Sequence, residues 1–162
     1  MAIAVGDKLP GATLALMGGE GPTTVALGDK LAGRKVVIFG LNGAFTGTCT
    51  SAHVPSFMRT LPGLTDKGVD EVICVSVNDP FVMQAWSEQT GAGAAGITML
   101  GDPMSEFTKA VGMDFSAPPI GFVDRSKRYA LYAEDGVVKV FHAEESPGVC
   151  EISGGEAMLA AI

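Results

Sequence analysis

The stretch KVVIFGLNGAFTGTCTSAHVPSF, Lys35 to Phe57, decides the fold. Its first seven residues form an apolar run of strand length rich in β-branched side chains, the pattern of a strand buried on both faces. From Cys49 onward, CTSAHVPSFMRTLPGL reads as a helix that Pro55 kinks and that Pro62 and Gly63 end. A cysteine, with a threonine three residues before it, therefore stands where a strand gives way to a helix. Between Val36 and Met58 there is no Asp, Glu, Lys or Arg, a span long enough for a bilayer. Asn42, Thr46, Thr48, Thr50, Ser51 and Pro55 interrupt it, so the expectation is burial in a globular core and no membrane span.

Working outward, ATLALM and TTVAL flank the Gly- and Pro-punctuated MGGEGP and predict an N-terminal hairpin. EVICVSVN predicts a second buried strand. Asp79 and Pro80 follow as cap and first-turn residue for the helix PFVMQAWSEQT. ITML makes a short third strand and DPMSEFTKAVGM a further helix, with Ser105 and Glu106 in its first turn and Gly112 near its end. GFVDRSKRYALYAEDGVVKVFHAEE reads as a strand, a DRSKR turn and two strands joined through Glu134, Asp135 and Gly136, the Asp-Gly hairpin signal. SGGEAMLAAI closes as a helix, with Ser153 and Glu156 in capping-box spacing. Strand and helix alternation followed by an antiparallel hairpin gives an α/β chain: a central mixed β-sheet flanked by helices on both faces, as a thioredoxin-like architecture requires. No repeat or linker divides it, and residues 1–162 are expected to form one domain.

Composition narrows the function. Hydrophobic residues make up 47% and charged residues 18%, a globular profile. Eighteen acidic residues against eleven basic ones, net charge -7, argue against nucleic acid as a partner. The N-terminus MAIAVGDKLPG has no basic segment followed by a long apolar one, and three cysteines, an odd number, fit a secreted disulfide framework poorly. The expected location is the cytoplasm, with the cysteines available for redox or nucleophilic chemistry.

Several motif matches fail on context. GAGAAG, Gly91 to Gly96, follows a helix and has no acidic residue about twenty positions on, so it reads as a flexible helix terminator and not as a dinucleotide site. GLNGAFTG lacks the Lys and Ser/Thr of a phosphate loop, and Pro55 occupies the arginine position of a Cys-x5-Arg phosphatase loop. Cys49 and His53 have the spacing of half a zinc site, but Cys74, His142 and Cys150 provide no second pair, so no metal is expected. There is no C-x-x-C, which weakens a thiol-disulfide oxidoreductase.

Cys49 remains. In the first turn of a helix, unpaired backbone N–H groups and the helix dipole favour an anion. A free thiol with a pKa of about 8.5 is about 3% thiolate at pH 7, and lowering it to about 6 gains only about thirtyfold. Fast attack on a peroxide needs more: donors aimed at the oxygens as the O–O bond breaks. Thr46 offers a hydroxyl, and a fixed guanidinium would complete the set.

NGAFTGTC, Asn42 to Cys49, resembles the P-x-x-x-T-x-x-C signature of the peroxiredoxins. SAHVPSF, VICVSVNDPFVMQAW, LGDPMSEFTKAVGM and RSKRYALYAEDGVV resemble the type II, or peroxiredoxin five, subfamily in order and spacing. The resemblance implies a thioredoxin fold and thiol-dependent reduction of hydrogen peroxide and organic hydroperoxides without a metal or organic cofactor. It places Cys49 on the peroxidatic cysteine, Thr46 on the motif threonine and Arg128 on the catalytic arginine. It also implies a homodimer with the Cys49 loop near the contact. The reductant would be glutathione with glutaredoxin, or thioredoxin. Cys74 and Cys150 are the possible resolving cysteines, and an external thiol is the leading expectation. A peroxide sensor using the same cysteine with little turnover is the alternative. The chain departs from the signature at Asn42, where the motif has proline, and at Gly47, where relatives often carry another. The expectation is a less preorganised loop.

Overall fold

The computed structural model describes residues 1–162. Strands β1 (Thr13–Gly18) and β2 (Gly21–Ala26) form the expected N-terminal hairpin. A short helix α1 (Leu27–Leu31), not foreseen from sequence, turns the chain into β3 (Lys35–Leu41). Strands β4 (Glu71–Ser76) and β5 (Thr98–Gly101) run parallel to β3. Strands β8 (Tyr129–Glu134) and β9 (Val137–Ala143) add antiparallel, giving a seven-stranded mixed sheet in the order β2-β1-β5-β4-β3-β8-β9. The turn joining β8 to β9 has positive φ at both Asp135 and Gly136, the geometry in which Asp-Gly hairpins match the strand twist.

Alternation explains why β3 looks apolar throughout. Val37, Phe39 and Leu41 point into one core, whereas Val36 and Ile38 point into the other. The first core lies under helices α2 (Val54–Asp66), α3 (Pro80–Thr90) and α6 (Gly155–Ala161) and includes Phe57 and Trp86. The second contains Leu27 and Leu31 of α1 together with Phe107 of α5 (Glu106–Ala110). Each such fully buried large apolar side chain contributes about 1.5–3 kcal/mol before ordering costs. Phe39 and Phe57 stack at 4.2 Å with rings 7° from parallel, which seats the start of α2 on β3.

The helix after Cys49 differs from the sequence reading at Pro62. It does not end at Pro62 but runs to Asp66, stopping at Lys67 before Gly68, whose φ is +95°. The missing N–H costs one bond, while continuing keeps Leu64 in the core and packs Gly63 against Leu159 of α6. Ahead of Pro55, residues Cys49–His53 form a π-helical turn in which Val54 N–H donates to the Cys49 carbonyl. Pro55 falls in the first turn of α2, directly after this wider turn, and such turns concentrate at functional sites.

Asp79 caps α3 as expected, accepting from Val82 N–H at 2.9 Å. The last helix is capped otherwise. Ser153 does not serve as its cap, because Ser153 N–H and Oγ both donate to Glu144, and Gly154 takes the cap position. Ser56 Oγ accepts from Gly155 N–H at 2.9 Å, and a side chain at Gly155 would strike the Ser56 carbonyl and Thr60, so only glycine lets α6 approach α2 this closely. The DRSKR segment is mostly strand: β7 (Phe122–Ser126) pairs with β6 (Asp114–Ala117) in a small second sheet that the sequence reading missed. The GAGAAG segment forms α4 (Ala92–Ala95) after the left-handed Gly91, which ends α3. No helix is long and apolar enough to cross a membrane.

Candidate active site

Two features of the sheet bring the site together. Cys49 follows the C-terminal end of β3, the end of a parallel strand at which α/β folds place their ligand crevices. Antiparallel to β3, strand β8 pairs Gly40 with Tyr129, so Arg128, one residue earlier, emerges beside Asn42 and Cys49 although 79 residues separate it from the cysteine. That register leaves no room for a side chain at residue 40, whose Cβ would enter the Tyr129 ring.

Arg128 is 1% exposed and its guanidinium lies at the centre of the site. Nη2 donates to Cys49 Sγ at 3.1 Å, to Asn42 Oδ1 at 3.2 Å and to the Pro147 carbonyl at 3.0 Å. Nη1 lies 3.1 Å from His53 Nδ1. The other ring nitrogen of His53, Nε2, is 2.9 Å from the Ser153 carbonyl. A carbonyl only accepts, so Nε2 carries the proton and Nδ1 accepts from Arg128. Burial, with the Arg128 charge next and the Ser153 carbonyl opposing, brings the imidazole from 6.5 down to about 3, so it is neutral at physiological pH. His53 thus buttresses Arg128 and has no lone pair to spare for a metal.

Thr46 is partly buried on the same loop as Cys49. Its hydroxyl donates to the Gly43 carbonyl at 2.7 Å, and its carbonyl accepts from Thr50 N–H to start the helix. With its proton committed to Gly43, Thr46 Oγ1 keeps acceptor capacity, a different role from the donor read from sequence.

The loop is not loosened at Asn42. That residue is 5% exposed, its Nδ2 donates to the Ser126 carbonyl at 2.9 Å, and its own carbonyl accepts from Arg125 at 3.1 Å. Side-chain hydrogen bonds restrain this position where the motif uses a proline ring. At Gly47 a Cβ would meet nothing, so no steric demand calls for glycine there.

The segment between β9 and α6 closes over the cysteine. Pro147 accepts from Arg128, Gly148 accepts from Thr48 Oγ1 at 3.1 Å, and Glu144 gathers Glu151 and Ser153. Beneath it Cys49 Sγ is fully buried. A buried cysteine thiol held by a buried guanidinium, on the same loop as a hydroxyl with free acceptor capacity, suits attack on a polarised two-oxygen substrate.

The redoxin family model matches residues 4–159. The chain is 49% identical to chloroplastic peroxiredoxin-2E-2 of Oryza sativa subsp. japonica, over 99% of its own length and 72% of that protein's. Among solved structures, reduced Prx3 from Vibrio vulnificus in complex with H2O2 superposes with a TM-score of 0.91 at 42% identity, covering 98% of both chains. Peroxiredoxin 5 from Alvinella pompejana superposes at 0.85 with 28% identity, over 98% of this chain and 97% of that one. The chain belongs to the type II peroxiredoxins.

In this peroxiredoxin the structure brings Arg128 to Cys49, with Thr46 on the same loop as the cysteine, and separates the other two cysteines by environment. Cys74 lies on β4 in the middle of the sheet, fully buried on the same face as Cys49. Burial, then the nearby Cys49 charge, push its thiol well above the ordinary range. Cys150 is half-buried on the covering segment, close enough to feel both Arg128 and Cys49. Burial raises its thiol, partly offset by Arg128 and a bond with Ser153. His53 and Asn42 are the participants that sequence reasoning missed. The i, i+4 spacing of His53 from Cys49 did signal proximity, whereas its partner, 75 residues away, left no local sign.

Proposed function

We propose that this type II peroxiredoxin reduces hydrogen peroxide and organic hydroperoxides at Cys49, with Arg128 and Thr46 as the groups that act on the peroxide. The carrying observation is the 3.1 Å bond from the buried guanidinium to Cys49 Sγ. The thiolate attacks one peroxide oxygen, the O–O bond breaks, and sulfur is oxidised by two electrons to a sulfenic acid. The departing oxygen leaves as water or alcohol after taking a proton. Nη2 stabilises the charge on sulfur and then the charge developing on the departing oxygen. Thr46 Oγ1, whose proton is held by Gly43, accepts from the peroxide O–H and aligns it.

The sulfenic acid then condenses with a thiol to a disulfide and water, and a second thiol reduces that disulfide. Full burial of Cys49 requires the 144–154 segment to lift first. Glutathione with glutaredoxin, or thioredoxin, supplies the reducing equivalents. Of the internal cysteines, Cys150 rides the segment that moves, whereas Cys74 would require the centre of the sheet to open. Association as a homodimer is supported by large exposed apolar side chains, among them Phe45 of the cysteine loop, which is 50% exposed. A cytoplasmic location is supported by three free thiols.

The test is peptide mass analysis of reduced protein, alkylated seconds after one equivalent of hydrogen peroxide. Oxidised Cys49 with alkylated Cys74 and Cys150 supports an external thiol, and a Cys49 to Cys150 disulfide an internal one. A Cys49 that remains alkylated refutes the reading. Many peroxide equivalents consumed per chain with a thiol donor, instead of about one, separates the enzyme from a sensor.

A further inference from the structure

We propose that Asn42 is a positioning residue for the peroxidase reaction, its Oδ1 holding the Arg128 guanidinium where Nη2 reaches Cys49 Sγ. The inference rests on the Cys49 and Arg128 reading above and deepens it.

Nη2 carries two hydrogens and is offered three acceptors: Cys49 Sγ, the Pro147 carbonyl and Asn42 Oδ1. Cys49 is the reacting group. Pro147 is exposed and belongs to the segment that must lift. Asn42 on Nη2 and His53 on Nη1 are the buried side-chain acceptors that do not belong to that segment and do not react. A planar guanidinium held at two nitrogens cannot turn in its plane, and held at one it can. Arg128 Nε, buried with no partner, supplies no third restraint.

Asn42 is itself held on three sides. Its Nδ2 binds the Ser126 carbonyl, two residues before Arg128, so one amide bridges the end of β3 to the short β7–β8 connection. Its backbone carbonyl is clamped by Arg125 of β7, next to Ser126. The amide therefore ties Arg128 to its own backbone segment and to the start of the cysteine loop together. A proline ring at this position offers neither an acceptor to Nη2 nor a donor to Ser126. The substitution that looks like a loss of stiffness in sequence exchanges ring rigidity for a direct bond to the catalytic arginine.

The experiment is a double-mutant cycle read by stopped flow. Trp86 is the sole tryptophan, and its indole N–H binds Thr50 Oγ1, next to Cys49, at 3.0 Å, so its fluorescence reports oxidation of the cysteine. The second-order rate constant with hydrogen peroxide is measured for the wild type, Asn42→Ala, Arg128→Met and the double variant. Loss of one charge-assisted bond lowers the Asn42→Ala rate about tenfold when Arg128 is present. In the Arg128→Met background the same change should cost no more than about twofold, because there is no guanidinium left to position. An equal loss in both backgrounds assigns Asn42 a merely structural role and overturns the proposal, as does no loss in either. A wild-type rate in Arg128→Met would instead overturn the reading on which this one rests. If Asn42→Ala does not fold, Asn42→Pro, the residue of the family motif, carries the test: a rate below wild type supports the proposal and an equal or higher rate refutes it.

Discussion

Acidification should expose the cost of keeping His53 neutral. The folded imidazole titrates at about 3 against 6.5 when free, so the unfolded chain binds a proton over a range in which the native state does not. The contribution is fully present above the unfolded value and is lost as pH falls from 6.5 toward 3. At pH 5 the loss is about 2 kcal/mol relative to pH 7.5, obtained as 1.36 kcal/mol times the logarithm of about 32. Glu71 responds at lower pH. Burial acts to raise its carboxyl, but bonds from Thr98, Lys30 and Arg34 outweigh that and hold it below 4.5, so its stabilisation is shed only under that value. Within pH 7.5 to 5 the comparison with His53→Gln isolates the histidine. Urea unfolding at both pH values, at fixed protein concentration, should show the loss of about 2 kcal/mol, or a drop of about 4–8 °C in Tm. In His53→Gln, which can still donate toward the Ser153 carbonyl, the difference should shrink by about 2 kcal/mol. A His53→Gln protein with the full wild-type pH dependence would refute both the buried neutral imidazole and its place beneath Arg128.

Two further outcomes follow from single contacts. Thr46→Val removes the hydroxyl to which we assign acceptance from the peroxide and should lower the peroxide rate constant about tenfold to a hundredfold, whereas Thr46→Ser should stay within about threefold of wild type; equal rates for the two variants would dismiss the hydroxyl. Asp79→Ala removes the 2.9 Å bond that caps α3 and should cost about 1 kcal/mol, or about 2–4 °C in Tm, with no change in the peroxide constant.

The structure also bears on how far sequence reasoning reaches in this peroxiredoxin. Elements whose cause is local were legible. Lys35–Leu41 and Glu71–Ser76 announce buried strands through their apolar runs, Asp79 and Pro80 a helix start, and Asp135 and Gly136 a tight hairpin. Pro62 misled because its local preference for ending a helix was overridden by the packing of α2 against α6. Ser153 misled for a similar reason, since its spacing from Glu156 fits a capping box but Glu144 captures it first, while Glu156 pairs with Arg59. Helix α1 and strand β6 are too short to leave a periodic signal.

The candidate site divides along the same line. Cys49 and Thr46, three residues apart at a strand-to-helix turn, were visible as chemistry in the sequence alone, because first-turn geometry and side-chain reach are local properties. Arg128 came only through family resemblance, since nothing near it in sequence marks a guanidinium as catalytic. Tertiary structure decided the rest. The β3–β8 register delivers Arg128 to Cys49, the approach of α6 to α2 brings Ser153 to His53, and the 144–154 segment covers the sulfur. Asn42 shows the division at one residue. Its identity was plain, but whether it loosens the loop or anchors the arginine depended on a partner 86 residues away, which only the paired strands could place within hydrogen-bonding distance.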